Sequence, residues 1–113
     1  MSGASLPLPP LAGAAPLFAA LGDETRLALV ARLGTGRPLS ITELARGAPV
    51  TRQAIAKHLN ILAGAGLVRD RRRGREHLWE LEVQRLDDAR RYLDEISKCW
   101  DEALDRLKQF VEE

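Results

Sequence analysis

From Leu17 onward the chain sets short apolar stripes between polar breaks, at a period that belongs to helices. Leu17, Phe18 and Leu21 form one stripe, and Leu27, Leu29, Val30 and Leu33 form another after Gly22 and Asp23. Two short helices are predicted. Asp23 caps the second, since its carboxylate can accept the free N–H of Thr25 or Arg26, and Gly34 supplies a left-handed stop. Residues 34–38 read as a loop. Ser40-Ile-Thr-Glu43 has the form of a capping box, in which hydroxyl and carboxylate each satisfy an unpaired N–H, so a short helix runs from there to about Arg46. Gly47-Ala-Pro49 must end it, because proline lacks a donor and disfavours a helical residue before it. From Thr51, a further N-cap, Ile55, Leu59, Leu62 and Ala63 stay on one stripe, while Arg52, Gln53, Lys57 and Asn60 lie on other faces. Gly64 and Gly66 mark the end.

Two helices around a tight turn, the second with a polar leading face, form a helix-turn-helix pattern. Behind it, residues 67–71 and 76–81 read as strands joined through residues 72–75, where Gly74 can take the positive φ of a tight hairpin. An arginine-bearing hairpin in that place is a wing. It can reach phosphates beside the groove occupied by the second helix, or put an Arg into the minor groove. The last segment is the most regular: Leu86, Ala89, Leu93, Ile96, Trp100, Ala103, Leu107 and Phe110 recur at spacings of 3, 4, 3, 4, 3, 4 and 3. That is a heptad seam. A small helical body has too little surface to cover all of it, so a dimerisation helix is expected over about residues 83–112. The fold class is mainly α with a small β-hairpin (α+β), a dimeric winged helix-turn-helix.

At 113 residues the chain holds one domain, and its 45% hydrophobic and 29% charged composition is that of a folded globular protein. The organisation expected is a flexible N-terminal tail over residues 1–16, rich in proline and without Lys or Arg, followed by the domain over residues 17–113. No apolar window reaches membrane-spanning length. The net charge of +1 is uninformative until it is divided. Residues 51–77 carry seven Lys and Arg against Asp70 and Glu76, a net +5, whereas residues 78–113 carry six against eleven Asp and Glu, a net −5. Positive charge therefore sits on the two elements whose geometry already points to nucleic acid. A single cysteine, Cys99, excludes an internal disulfide and fits a reducing, cytoplasmic setting.

From Leu17 to Phe110 the sequence resembles the ArsR/SmtB family of bacterial winged helix-turn-helix repressors. The resemblance is carried by the run Leu21-Gly-Asp-Glu-Thr-Arg26-Leu-Ala-Leu-Val, the run Thr51-Arg-Gln-Ala-Ile-Ala-Lys-His58-Leu-Asn-Ile-Leu, Ala65-Gly-Leu-Val68, and the Gly74-Arg75 wing ending in Trp79-Glu-Leu81. It implies a homodimer formed by the first and last helices, with the helix from Thr51 in the major groove of a palindromic operator in double-stranded DNA. Within that picture Thr51, Arg52, Gln53, Ala56 and Lys57 are candidate operator contacts. Gln53 suits adenine, Arg52 guanine and Lys57 phosphate. Wing residues Arg71, Arg72, Arg73 and Arg75 join them. The implied dimer residues are Leu17, Phe18, Leu21, Leu86, Ala89, Leu93, Ile96, Trp100, Ala103, Leu107 and Phe110. His58, beside apolar Leu59, is expected to be a hydrogen-bonded structural residue.

The chain also departs from that family. Many members sense metals through a Cys-x-Cys pair on the short helix, which here reads Glu43-Leu-Ala-Arg46, and others use ligands on the last helix, where no histidine follows His77. The sequence resembles the branch without these ligands, so neither metal nor cofactor is expected. The leading expectation is a dimeric, sequence-specific transcriptional repressor, with room for an unidentified small-molecule effector. Two alternatives stand beside it: a winged-helix protein-interaction module, and a DNA-binding redox sensor acting through Cys99. An enzyme is not expected, since no nucleophile, base and orienter stand at suggestive spacing and no phosphate loop is present.

Overall fold

Gly13, at φ 86°, opens the first helix of the computed structural model, which describes residues 13–112. Helix α1 spans Ala14–Leu21, so the expected boundary of the tail at residue 16 moves back to 13. Pro16 is the third residue of α1, in a first turn whose N–H groups have no partner in the helix, so its missing donor costs nothing there. Residues 1–12, the rest of the expected tail, lie outside the described residues.

Helix α2 spans Glu24–Leu33, and Asp23 caps it by accepting the Arg26 N–H at 3.0 Å. That hydrogen bond is the main reason the Asp23 carboxyl lies below its ordinary pKa. Gly34 is not the left-handed stop. It is right-handed at φ −66°, and its N–H still bonds to Val30 O; the reversal falls at Gly36, φ 93°, after one more turn has wound up. The capping box at Ser40 forms in full at the head of helix α3, Ile41–Ala45, and lowers the Glu43 pKa through the Ser40 N–H. Thr51 caps helix α4, Arg52–Gly64, from the side of its Ala54 N–H.

The sheet has three antiparallel strands in the order β1-β3-β2, with β1 at Leu39–Ser40, β2 at Val68–Arg73 and β3 at Glu76–Leu81. Strand β1 was not foreseen: at two residues it is too short to show alternation, and it exists through its pairing of Leu39 with Trp79 and Ser40 with Leu78. The hairpin is also tighter than expected. Arg73 pairs with Glu76, leaving only Gly74, at φ 64°, and Arg75 in the turn.

Leu17, Leu29, Leu33, Leu44, Ile55, Leu59, Leu62 and Trp79 meet in one core between α1, α2, α3, α4 and the sheet. Helix α5, Val83–Glu112, joins it only at its start, through buried Ala89 and half-buried Leu86 and Tyr92. At about 1.5 Å per residue its 30 residues run about 45 Å, which makes the molecule 66 Å long and 25 Å wide. No helix among the described residues is long and apolar enough to cross a membrane.

Candidate nucleic-acid interface

Helix α4 divides its residues cleanly. Ile55, Leu59 and Leu62 are fully buried, whereas Thr51, Arg52, Gln53 and Lys57 stand exposed and Ala56 is half-buried beside them. Asn60, exposed and seven positions after Gln53, continues the same polar stripe. Sequence reading put it off the apolar face and did not include it among the candidate contacts. Gln53, Lys57 and Asn60 make no side-chain hydrogen bond or ion pair among the described residues, so their polar groups remain open to an incoming partner. Arg52 is held differently: its Nη2 donates to Thr42 Oγ1 on α3, which fixes one edge of the guanidinium at the first turn of α4.

The other side of α4 is tied to the body. Arg26 donates from Nε to the Ala20 carbonyl at the end of α1 at 2.5 Å, and from Nη1 to His58 Nδ1 at 3.1 Å. An arginine can only donate, so His58 Nδ1 is an acceptor and the neutral ring carries its proton on Nε2. Asp23 Oδ2 lies 3.8 Å from the same nitrogen. His58 is thus structural, half-buried and hydrogen-bonded, as the sequence led one to expect. Arg85 makes a similar tie at the far end of α4, donating to the carbonyls of Ala65 at 3.1 Å and Gly13 at 2.9 Å.

In the wing, pairing separates arginines that look equivalent in sequence. Arg69 sits 2.8 Å from Glu80 and 3.1 Å from Glu82, and Arg71 reaches the other oxygen of Glu80 at 3.4 Å. The Arg69 hydrogen bond is the largest cause holding the Glu80 carboxyl below its ordinary pKa. Arg71 is therefore partly neutralised. Arg72, Arg73 and Arg75 are exposed at the tip, without a side-chain hydrogen bond or ion pair among the described residues. The ladder puts Arg72 on the face of His77 and Trp79, where His77 stacks at 5.1 Å on Trp79 and bonds to Asp70 at 3.0 Å, and puts Arg73 on the opposite face with Leu78.

The expected dimer residues fall into two groups. Leu17 and Ala89 are buried in the core of their own subunit, and Leu21 and Leu86 are partly buried against it. Phe18 is partly buried and meets Tyr92 edge-on at 6.4 Å. Ile96 and Ala103 are half-buried, while Leu93, Trp100, Leu107 and Phe110 stand exposed, the last at 78%. Leu104 and Val111, outside the heptad seam, are exposed next to it and widen the apolar face. Cys99 is half-buried on α5.

Three comparisons agree with this geometry. A helix-turn-helix domain family matches residues 21–71. The HTH-type transcriptional regulator Rv2034 of Mycobacterium tuberculosis is 41% identical over 93 residues, which cover 82% of this chain and 83% of that one. The arsenical resistance operon repressor of Escherichia coli is 30% identical, covering 80% of this chain and 78% of its own. Among solved structures, an ArsR-like transcriptional regulator from Rhodococcus sp. RHA1 superposes with a TM-score of 0.75 at 42% identity, covering 88% of this chain and 92% of that one. Helix α3 has no cysteine, and no cluster of three His, Cys, Asp or Glu able to hold a metal occurs among the described residues.

Proposed function

This chain belongs to the ArsR family of winged helix-turn-helix transcriptional regulators, and from that premise we propose that it works as a cytoplasmic homodimeric repressor of its own or a neighbouring operon. Each subunit lays α4 in the major groove of one half of a palindromic operator. Arg52 and Gln53 meet base edges, Lys57 meets phosphate, and the tip arginines Arg72, Arg73 and Arg75 meet the backbone or the adjacent minor groove. The observation that carries the reading is the exposed stripe of Gln53, Lys57 and Asn60, open to a partner and flanked by a cationic hairpin.

The dimer rests on α5. Leu93, Trp100, Leu107 and Phe110, with Leu104 and Val111 beside them, leave an apolar face that its own subunit does not reach. A face that wide covers more than one helix. A second copy supplies two, its own α5 and its α1, whose outer face exposes only the small residues Ala15 and Ala19 beside Pro16.

The test is operator binding by fluorescence anisotropy, using the DNA upstream of the gene and a shuffled duplex across a range of KCl. Tight binding to the first, weak binding to the second and a steep fall with salt are expected, because neutralised phosphates release counterions. Equal affinity for the two duplexes, or a species that sediments as a monomer while binding the operator fully, would overturn the reading.

A further inference from the structure

Between α2 and the turn that joins α3 to α4 lies a cavity of about 530 Å³, inside the range of ~300 to 1,000 Å³ usual for small-molecule sites. Its floor is apolar: Leu29, Leu44 and Ile55 are buried there, and Ala28 and Val50 line its sides. Neither the DNA contacts nor the subunit contacts proposed above draw on these residues.

The two ends of this cavity differ in charge. At one end Arg32 donates to the carbonyls of Leu44 at 2.8 Å and Glu43 at 3.0 Å, and Arg46 follows on the same stretch of chain. Those carbonyls are neutral, so they take up donors of Arg32 and leave its charge uncompensated. Arg46 makes no side-chain hydrogen bond or ion pair among the described residues. At the other end stands Glu24, in the first turn of α2, its carboxylate likewise without a hydrogen bond or ion pair among the described residues. Arg32 comes eight positions after Glu24, about 12 Å along the helix axis. The order along the cavity is therefore cation, apolar wall, anion.

A single amino acid does not bridge these ends, because its ammonium and carboxylate share one carbon. A chain of two or three residues spans about 7 to 10 Å, with an ammonium at one end, a carboxylate at the other and its side chains between. We propose that the cavity binds a short apolar peptide with free termini, its carboxylate held by Arg46 beside Arg32, its ammonium by Glu24 and its side chains on Leu29, Leu44 and Ile55. The site is built partly from the turn, and Val50 directly precedes Thr51, the N-cap of α4. An occupant gains contact by drawing the turn onto α2, and the first turn of α4 moves with it. Peptide and operator therefore oppose each other, by the same factor in both directions. That coupling rests on the reading of α4 as the major-groove helix, whereas the site itself does not.

The experiment titrates the full chain with leucyl-leucine and leucyl-alanyl-leucine, read by calorimetry and by amide NMR shifts. Both peptides should bind, with the shifts concentrated in residues 24–32 and 44–55. Free leucine, and leucyl-leucine acetylated and amidated at its ends, should bind about tenfold more weakly or worse, since each loses a charged contact. Glu24→Gln and Arg46→Gln should each cost about tenfold in peptide affinity. Ala28→Phe, which fills the cavity from an exposed helix position, should abolish binding while circular dichroism shows a folded chain. Saturating peptide should weaken operator binding, followed by anisotropy, by about fivefold or more. No binding of either peptide, shifts that fall elsewhere, or a blocked peptide bound as tightly as the free one would overturn the site. Peptide binding that left operator affinity unmoved would overturn the coupling. A chain that bound peptide but no operator duplex would overturn the reading of α4 and leave the site standing.

Discussion

Helices α4 and α5 are both half satisfied by their own subunit, but what each leaves over is opposite in kind. Helix α4 buries Ile55, Leu59 and Leu62 completely and presents polar, unpaired Gln53, Lys57 and Asn60. Helix α5 buries Ala89, pairs Asp88 with Arg85 and Arg91 along its flank, and presents Leu93, Trp100, Leu107 and Phe110. Water can serve the first remainder indefinitely, since a solvated Lys or Gln costs nothing. It serves the second badly, because every exposed apolar side chain forfeits about 1.5 to 3 kcal/mol that burial would return. The open face of α4 is stable in water as it stands, whereas that of α5 carries a standing penalty until something covers it.

The largest test is to damage α5 and ask whether α4 notices. Leu107→Asp puts a charge into the shared apolar face, which costs several kcal/mol, so the dissociation constant of the dimer should rise by about a hundredfold or more. Sedimentation should show a monomer, circular dichroism a folded one, and operator affinity should collapse because two half-sites no longer bind as one. A Leu107→Asp protein that remained a dimer would put the contact elsewhere.

Damage to α4 should leave the dimer alone and change what is read. Gln53→Ala should cost about 1 to 3 kcal/mol at particular base pairs, with other positions of the operator unmoved. Affinities for a panel of single-base operator variants decide this; a uniform loss across the panel would make Gln53 a backbone contact. A finer comparison lies within the wing. Arg72→Ala should weaken binding to all duplexes alike and flatten the salt slope by about 0.9, whereas Arg71→Ala should do so less, because Glu80 already holds that charge.

The smallest effect comes from acid. Asp23, Glu43, Glu80 and Asp88 all have lowered pKa values in the folded chain, Asp23 and Glu43 through backbone N–H donors, Glu80 through Arg69 and Asp88 through Arg91. A carboxyl whose folded pKa is depressed adds stability that is present above its unfolded pKa, about 4, and is lost as pH falls through the folded value. Thermal melts should therefore be flat near neutrality and decline below about pH 4, and Glu43→Gln should shrink that decline. A decline that set in well above pH 5 would overturn this account.

Much of this was legible in advance because it is local. Caps at Asp23, Ser40 and Thr51, the breaker at Pro49 and the positive φ of Gly74 each depend on a few neighbouring residues, and each formed. What escaped depends on residues distant in sequence. Strand β1 is two residues that become a strand only beside Trp79 and Leu78. Ala89 fits a heptad as well as any alanine, and only the fold shows that it packs on the core of its own subunit. Asn60 is the exception, a residue whose helical spacing from Gln53 was visible and whose exposure settled its place.

The Arg26 side chain is a clasp between two elements. By holding the final turn of α1 and the ring of His58 in one grip, it joins the helix next to the subunit contact to the middle of the helix aimed at DNA. In the homodimer proposed above, the two reading heads would then work like a set of calipers with a locked hinge, the gap between the jaws being set by how the subunits meet.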